Sequence, residues 1–210
     1  MKEKKYLLGF YDYTVILTYI GVLMGFTGVV MVINTKFSNA IICLMVAGLC
    51  DMFDGTVAST KQRSKEEKTF GIQIDSLSDL ICFGVLPAIF VYEIYQRSVS
   101  AFVIAGLYVL CALIRLSYFN VCEQERQNVE SVSRKYFQGL PVTTVAVLLP
   151  AVYLIYIRVS ENCTVLFPGL LVVMGALFIS TIKIKKPQMV GKIAMCFVGV
   201  IEFILVLIKM

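Results

Sequence analysis

Seven apolar runs, each about as long as a bilayer's hydrocarbon core is thick, dominate this chain. They fall at 13–34, 38–57, 72–95, 99–121, 139–159, 163–182 and 188–208. A spanning helix needs about 20 such residues, because no water is available inside the bilayer to satisfy exposed backbone groups. The pattern predicts an all-α, polytopic membrane bundle: a six-span core plus one extra C-terminal span, where Lys192 and Glu202 interrupt the run. Composition agrees, with 59% hydrophobic residues, 16% charged and a mean hydropathy of +0.83. No linker, repeat or low-complexity tract divides the chain, so residues 1–210 read as one membrane-embedded domain. The first run is too long for the core of a signal peptide and no small-residue cleavage site follows it, so no cleaved leader is expected.

The basic residues set the orientation. With the N-terminus inside, inner segments hold Lys2, Lys4, Lys5, Lys61, Arg63, Lys65, Lys68, Arg126, Arg134, Lys135, Lys183, Lys185 and Lys186. Outer segments hold only Lys36, Arg97, Arg158 and Lys209. This bias predicts a cytoplasmic N-terminus in the cell membrane. The net charge of +5 then reads as loops lying on an anionic lipid surface, not as a nucleic-acid site. The chain has no histidine, which excludes histidine bases and histidine metal ligands. Its seven cysteines lack C-x-x-C spacing and mostly sit in apolar runs, as small buried hydrophobes do. Gly21, Gly25 and Gly28 read as a helix-packing stripe, and Pro87 is expected to bend the third span.

Against this background the stretch from Asp51 to Asp79 stands out. Asp51 and Asp54 are three apart, and Asp75 and Asp79 are four apart, so each pair shares one face of its own helix. The first pair closes one span and the second opens the next. Four acids at that depth are costly unless paired or bound to metal. Oxygen-only donors favour a hard divalent cation, Mg2+ or Mn2+. The charged run Lys61, Arg63, Lys65, Glu66, Glu67, Lys68 reads by itself as a solvated loop. Arg115, about two turns inside the fourth span, is either a structural partner for an aspartate or a ligand for a phosphate or carboxylate. Arg134 and Lys135 set topology or bind headgroups.

The segment resembles the signature of the CDP-alcohol phosphatidyltransferase family, D-x-x-D-G-x-x-A-R, a spacer, then G-x-x-x-D-x-x-x-D. Asp51, Asp54, Gly55, Ala58, Gly71, Asp75 and Asp79 match it. Ser59 stands where the family has arginine, and the spacer is slightly longer; Lys61 and Arg63 are the nearby basic residues. Three further stretches resemble the phosphatidylserine synthase branch: the run from Asp75 through Phe83-Gly84-Val85-Leu86-Pro87-Ala88, the run Arg115-Leu116-Ser117-Tyr118-Phe119-Asn120, and Phe137-Gln138-Gly139-Leu140-Pro141.

The resemblance implies transfer of a phosphatidyl group from CDP-diacylglycerol to L-serine with release of CMP, by a homodimer in contact with membrane lipids. It implies metal ligation by Asp51, Asp54, Asp75 and Asp79, with two ions. Asp79, one turn deeper than Asp75, is the candidate base, because an alcohol is a weak nucleophile until its proton is removed. Asp51, Gly55, Ala58 and Gly71 are candidate nucleotide contacts, the small residues allowing close backbone approach. Arg115, Asn120, Arg134, Lys135 and Thr143 are candidate substrate contacts. Two rivals stay open: the same chemistry with glycerol 3-phosphate or an inositol phosphate as acceptor, and a cation-coupled transporter.

Overall fold

The computed structural model describes residues 9–129, 136–159, 161–185 and 189–209. Each of the seven apolar runs is a helix. In chain order these are α1 (Ile16–Ile33), α2 (Phe37–Ala58), a long third rod, α5 (Val99–Val129), α6 (Val145–Val159), α7 (Leu166–Phe178) and α8 (Met189–Lys209). The third rod consists of α3 (Lys65–Asp79), a π-helical turn (Leu80–Val85) and α4 (Leu86–Ile94). Five segments are long and apolar enough to cross a membrane: Ile16–Ile33, Phe37–Ala58, Lys65–Ile94, Val99–Glu125 and Val142–Val159. A shorter apolar helix covers Cys163–Phe178. Large apolar side chains such as Leu23, Phe26, Phe102, Leu107, Val173 and Phe197 point outward. That is the pattern of a surface bathed in hydrocarbon, since so much exposed apolar area would not suit water.

Two helices extend beyond their apolar runs. The third rod begins at Lys65, where the run predicts 72, because Ser64 caps it. The Ser64 hydroxyl accepts from the Glu67 N–H and the Glu67 carboxylate accepts from the Ser64 N–H, a reciprocal capping box. The charged stretch expected as loop is therefore partly the first turn of α3. The fourth helix runs on to Val129, where hydropathy predicts 121. Glu, Gln and Arg are good helix formers, and loss of hydropathy marks the membrane edge rather than the end of a helix. Among the described residues the only strands are β1 (Tyr136–Gln138) and β2 (Lys183–Lys185), antiparallel, with Phe137 opposite Ile184.

The glycine stripe packs as expected. α1 lies against α2, α3, the π turn and α4. A Cβ on Gly25 would sit 2.5 Å from the Cys82 sulfur, and one on Gly28 would sit 2.7 Å from a Leu86 methyl. Gly21 lies between Cys50 of α2 and Ser78 of α3, directly beside the acidic pairs. No disulfide links any of the seven cysteines, and Cys43 and Cys82 are buried. Phe90 gathers Phe37, Tyr153 and Phe167 around it, with centroids 5.4–5.8 Å apart, and closes the end of the bundle away from the acids.

Pro87 is accommodated by the π turn just before it. Proline has no N–H to give to the preceding turn. The carbonyl four residues back, Phe83, instead accepts a hydrogen bond from the buried Tyr108 hydroxyl of α5 at 2.7 Å. A single wide turn thus separates Asp79 from the proline, and π turns of this kind are frequent at functional sites.

Candidate functional site

The end of α2 and the start of the third rod bring the acids together. One carboxylate oxygen from each of Asp51, Asp54 and Asp75 lies within 4.8 Å of the other two. Asp54 contacts Asp75, and Asp79 contacts Asp51 while also facing Asp75 and Asp54. This crossed pairing, 51 with 79 and 54 with 75, is what antiparallel helices produce. Asp79 is the deepest of the four, only 8% exposed, and is not one of the three whose oxygens converge. Asp51 and Asp75 are half-buried.

Carboxylates this close repel unless a proton or a cation sits between them. Two oxygens around a magnesium ion lie at most about 4.2 Å apart, twice its bond length of about 2.1 Å. Small rotations of three aspartates would meet that limit. The donors are all oxygen and all anionic, so the residues fit a hard divalent ion. The protein offers one further oxygen donor group here that the sequence pattern does not reveal: the Thr18 hydroxyl of α1 donates to Asp54 at 3.3 Å. Thr18 lies three residues before Gly21, on the packed face of α1, and that spacing is its only signal in the sequence.

The other candidates divide. Gly55 is exposed, and a Cβ there would meet nothing within 4 Å, so this wall is open to a ligand. Ala58 lies in the last turn of α2 and is half-buried. Gly71 is not open: an Arg63 guanidinium nitrogen lies 2.9 Å from where its Cβ would be. Arg115 is 8% exposed, donates from Nε to the Leu140 carbonyl at 3.0 Å, stands over the Phe119 ring at 5.3 Å, and is close enough to Asp79 to feel its charge. Asn120 accepts a 2.7 Å hydrogen bond from Ser76, tying α5 to the helix of Asp75. Thr143 lies in a half-buried 3-10 turn, Val142–Thr144. Arg134 and Lys135 lie outside the described residues.

The Gly139-Leu140-Pro141 loop that receives Arg115 is shaped by its glycine. Gly139 has φ +73°, and a Cβ there would fall 2.5 Å from the Phe178 carbonyl. Its N–H donates to Ile182 and that of Leu140 to Leu177, so the loop is fastened to the end of α7.

On the opposite side, the segment before α1 straps the mouth. Lys61 donates to Asp12 at 2.7 Å and to Glu67 at 3.2 Å. Tyr13 meets Thr60, and Phe10 packs edge-on against Phe70. The Lys61 ammonium, followed by the Thr14 hydroxyl, holds the Asp12 carboxyl down at about 2.

The fold and site define a polytopic membrane protein with a cluster of carboxylates that could hold a metal ion, set where two helix ends meet. A sequence model of CDP-alcohol phosphatidyltransferases matches residues 14–209, and the chain belongs to that family. It is 38% identical over 112 residues to CDP-diacylglycerol–serine O-phosphatidyltransferase of Saccharomyces cerevisiae, covering 52% of this chain and 40% of that protein. Similarity to the archaetidylserine synthase of Methanothermobacter thermautotrophicus is 36% over 131 residues, covering 62% of this chain and 52% of the relative. A CDP-diacylglycerol–serine O-phosphatidyltransferase of Helicobacter pylori J99 is 28% identical over 168 residues, 77% of this chain and 67% of the relative. The chain thus spans about half, or less, of the first two relatives' length.

Proposed function

We propose that this protein is a phosphatidylserine synthase, transferring the phosphatidyl group of CDP-diacylglycerol to the hydroxyl of L-serine and releasing CMP. The observation that carries this reading is the convergence of Asp51, Asp54 and Asp75, with Asp79 against Asp51. The relatives named for transfer to serine supply the acceptor in this reading.

In this reading Asp51, Asp54, Asp75 and Asp79 hold two Mg2+ or Mn2+ ions. When bound, the ions would offset the diphosphate's charge and that of the departing CMP. Asp79 takes the proton from the serine hydroxyl, its depth keeping the carboxylate away from bulk water. Thr18 orients Asp54, and Ser76 and Asn120 fix the helix that carries Asp75 and Asp79 relative to α5. Gly55 and Ala58 leave space for the nucleotide, and Asp51 contacts it. Arg115 meets the serine carboxylate or a phosphate from the α5 side, and Asn120, Thr143, Arg134 and Lys135 are the further proposed substrate contacts. One domain, six core spans and one added span, a cytoplasmic N-terminus and site, and a homodimer complete the proposal.

Purified protein incubated with CDP-diacylglycerol and a panel of alcohols tests it. Serine-dependent CMP release is expected. Release that needs glycerol 3-phosphate or an inositol phosphate instead would replace serine as acceptor. Cation uptake into vesicles without any CMP release would overturn the enzymatic reading.

A further inference from the structure

We propose that Arg63 is the phosphate-binding cation of this site, replacing in space the arginine that the sequence lacks at position 59. The inference rests on the CDP-lipid reading above and names the group that grips the nucleotide end of the donor.

Three side chains compete for that role. Ser59 is uncharged and exposed, and its hydroxyl turns back to donate to the Thr56 carbonyl at 2.6 Å. Lys61 is engaged by Asp12 and Glu67. Arg63 differs from both. It is half-buried, and among the described residues no carboxylate or carbonyl takes an ion pair or hydrogen bond from it. Its guanidinium lies on the backbone of Gly71, where a Cβ would meet Nη1 at 2.9 Å. Any side chain at 71 would push it away, so this glycine is a seat for the arginine.

The seat is in the right place. Gly71, Asp75 and Asp79 recur every four residues, on one face of α3. Four residues of helix rise about 6 Å, which puts Gly71 one turn outward from Asp75 toward the water. The loop that carries Arg63 is itself held at both ends. Lys61 bonds Asp12 and Glu67 just before it, and the Ser64–Glu67 capping box follows it. Across the mouth, Gly55 leaves the wall open. A diphosphate entering there would meet the carboxylate site at one phosphate and the guanidinium fork at the other. Guanidinium presents several N–H groups in a plane matched to phosphate oxygens, which an ammonium does not.

The test uses the whole protein in detergent with Mg2+, CDP as the binding probe, and Michaelis constants for CDP-diacylglycerol and serine. Arg63→Ala should weaken CDP binding about 10- to 100-fold, as loss of a charge-assisted bond implies. The Michaelis constant for CDP-diacylglycerol should rise in step, while that for serine stays within twofold. Lys65→Ala, which removes an equal charge from an exposed neighbour, should change neither. If Arg63→Ala does not fold, the shorter, polar and neutral Arg63→Gln carries the same expectation. Wild-type binding of CDP with equal binding by the folded Arg63 variant overturns this inference alone. An equal loss in Lys65→Ala also overturns it, because the effect would then be general charge. Failure of the wild type to bind CDP would overturn the CDP-lipid reading and this inference with it.

Discussion

Tyr108→Phe removes one hydrogen bond and nothing else from the turn that follows Asp79. The Tyr108 side chain is 2% exposed, and its hydroxyl is the donor to the carbonyl that Pro87 has no N–H to satisfy. Orphaning a buried carbonyl costs about 1–3 kcal/mol in water-soluble proteins. Helix–helix hydrogen bonds in bilayers average about 0.6 and reach about 1.7 kcal/mol. With Pro87 unable to donate and the hydroxyl buried, the expected cost is near the upper end, about 1–2 kcal/mol. For a chain of this size each kcal/mol lowers Tm by about 2–4 °C, giving a drop of about 2–8 °C. The assay is thermal unfolding in detergent, run as a double-mutant cycle with Pro87→Ala. Alanine restores an N–H one turn after Phe83, so in that background the Tyr108→Phe cost should fall below about 0.5 kcal/mol. A loss of the same size with and without Pro87, or a Tm shift under about 1 °C, would refute the reasoning.

Three other outcomes are expected. Asp79→Asn should abolish turnover while part of the CDP-diacylglycerol binding survives; near-normal CMP release in that variant would remove Asp79 from the mechanism. Gly25→Ala should destabilise the bundle by about 1–3 kcal/mol through its 2.5 Å clash with the Cys82 sulfur, and Cys82→Ala should recover much of that, both read by thermal unfolding. Asp12 is held at about 2, below its ordinary 3.8, so its pairing with Lys61 stabilises the strap above about pH 4 and is lost as pH falls toward 2. Lys61→Ala should therefore flatten the fall of Tm across that window; an unchanged pH dependence would place the acid sensitivity elsewhere.

The bundle was legible because lipid imposes a strict rule: each apolar run must be a helix, and all seven are. The helix ends were less legible. Hydropathy could not see that the fourth helix continues through its polar tail to Val129. The start at Lys65 carries a readable S-x-x-E cap at Ser64 and Glu67, but it lies inside a stretch that looks like loop. At the site, spacing revealed that each pair of aspartates shares a face. It did not reveal which acid meets which, because that depends on the helices running antiparallel around α1. Thr18 was hidden because its spacing from Gly21 marks only the packed face of α1, not a contact with an aspartate. The π turn was hidden because Pro87 predicts a bend and carries no sign of a wider turn before it or of the Tyr108 hydroxyl on the Phe83 carbonyl. Gly71 reads in the sequence as room for a nucleotide, but its neighbour is Arg63, a contact set by the fold of the loop between α2 and α3.

The central claim is that the aspartate cluster works through a bound divalent ion to move a phosphatidyl group onto serine. CMP release from CDP-diacylglycerol by the purified protein, with and without serine and with and without a chelator, tests this most directly. Release should require serine, stop with chelator and return when Mg2+ or Mn2+ is restored in excess. Undiminished serine-dependent release after rigorous metal removal would contradict the metal role, and no release under any of these conditions would contradict the reaction itself.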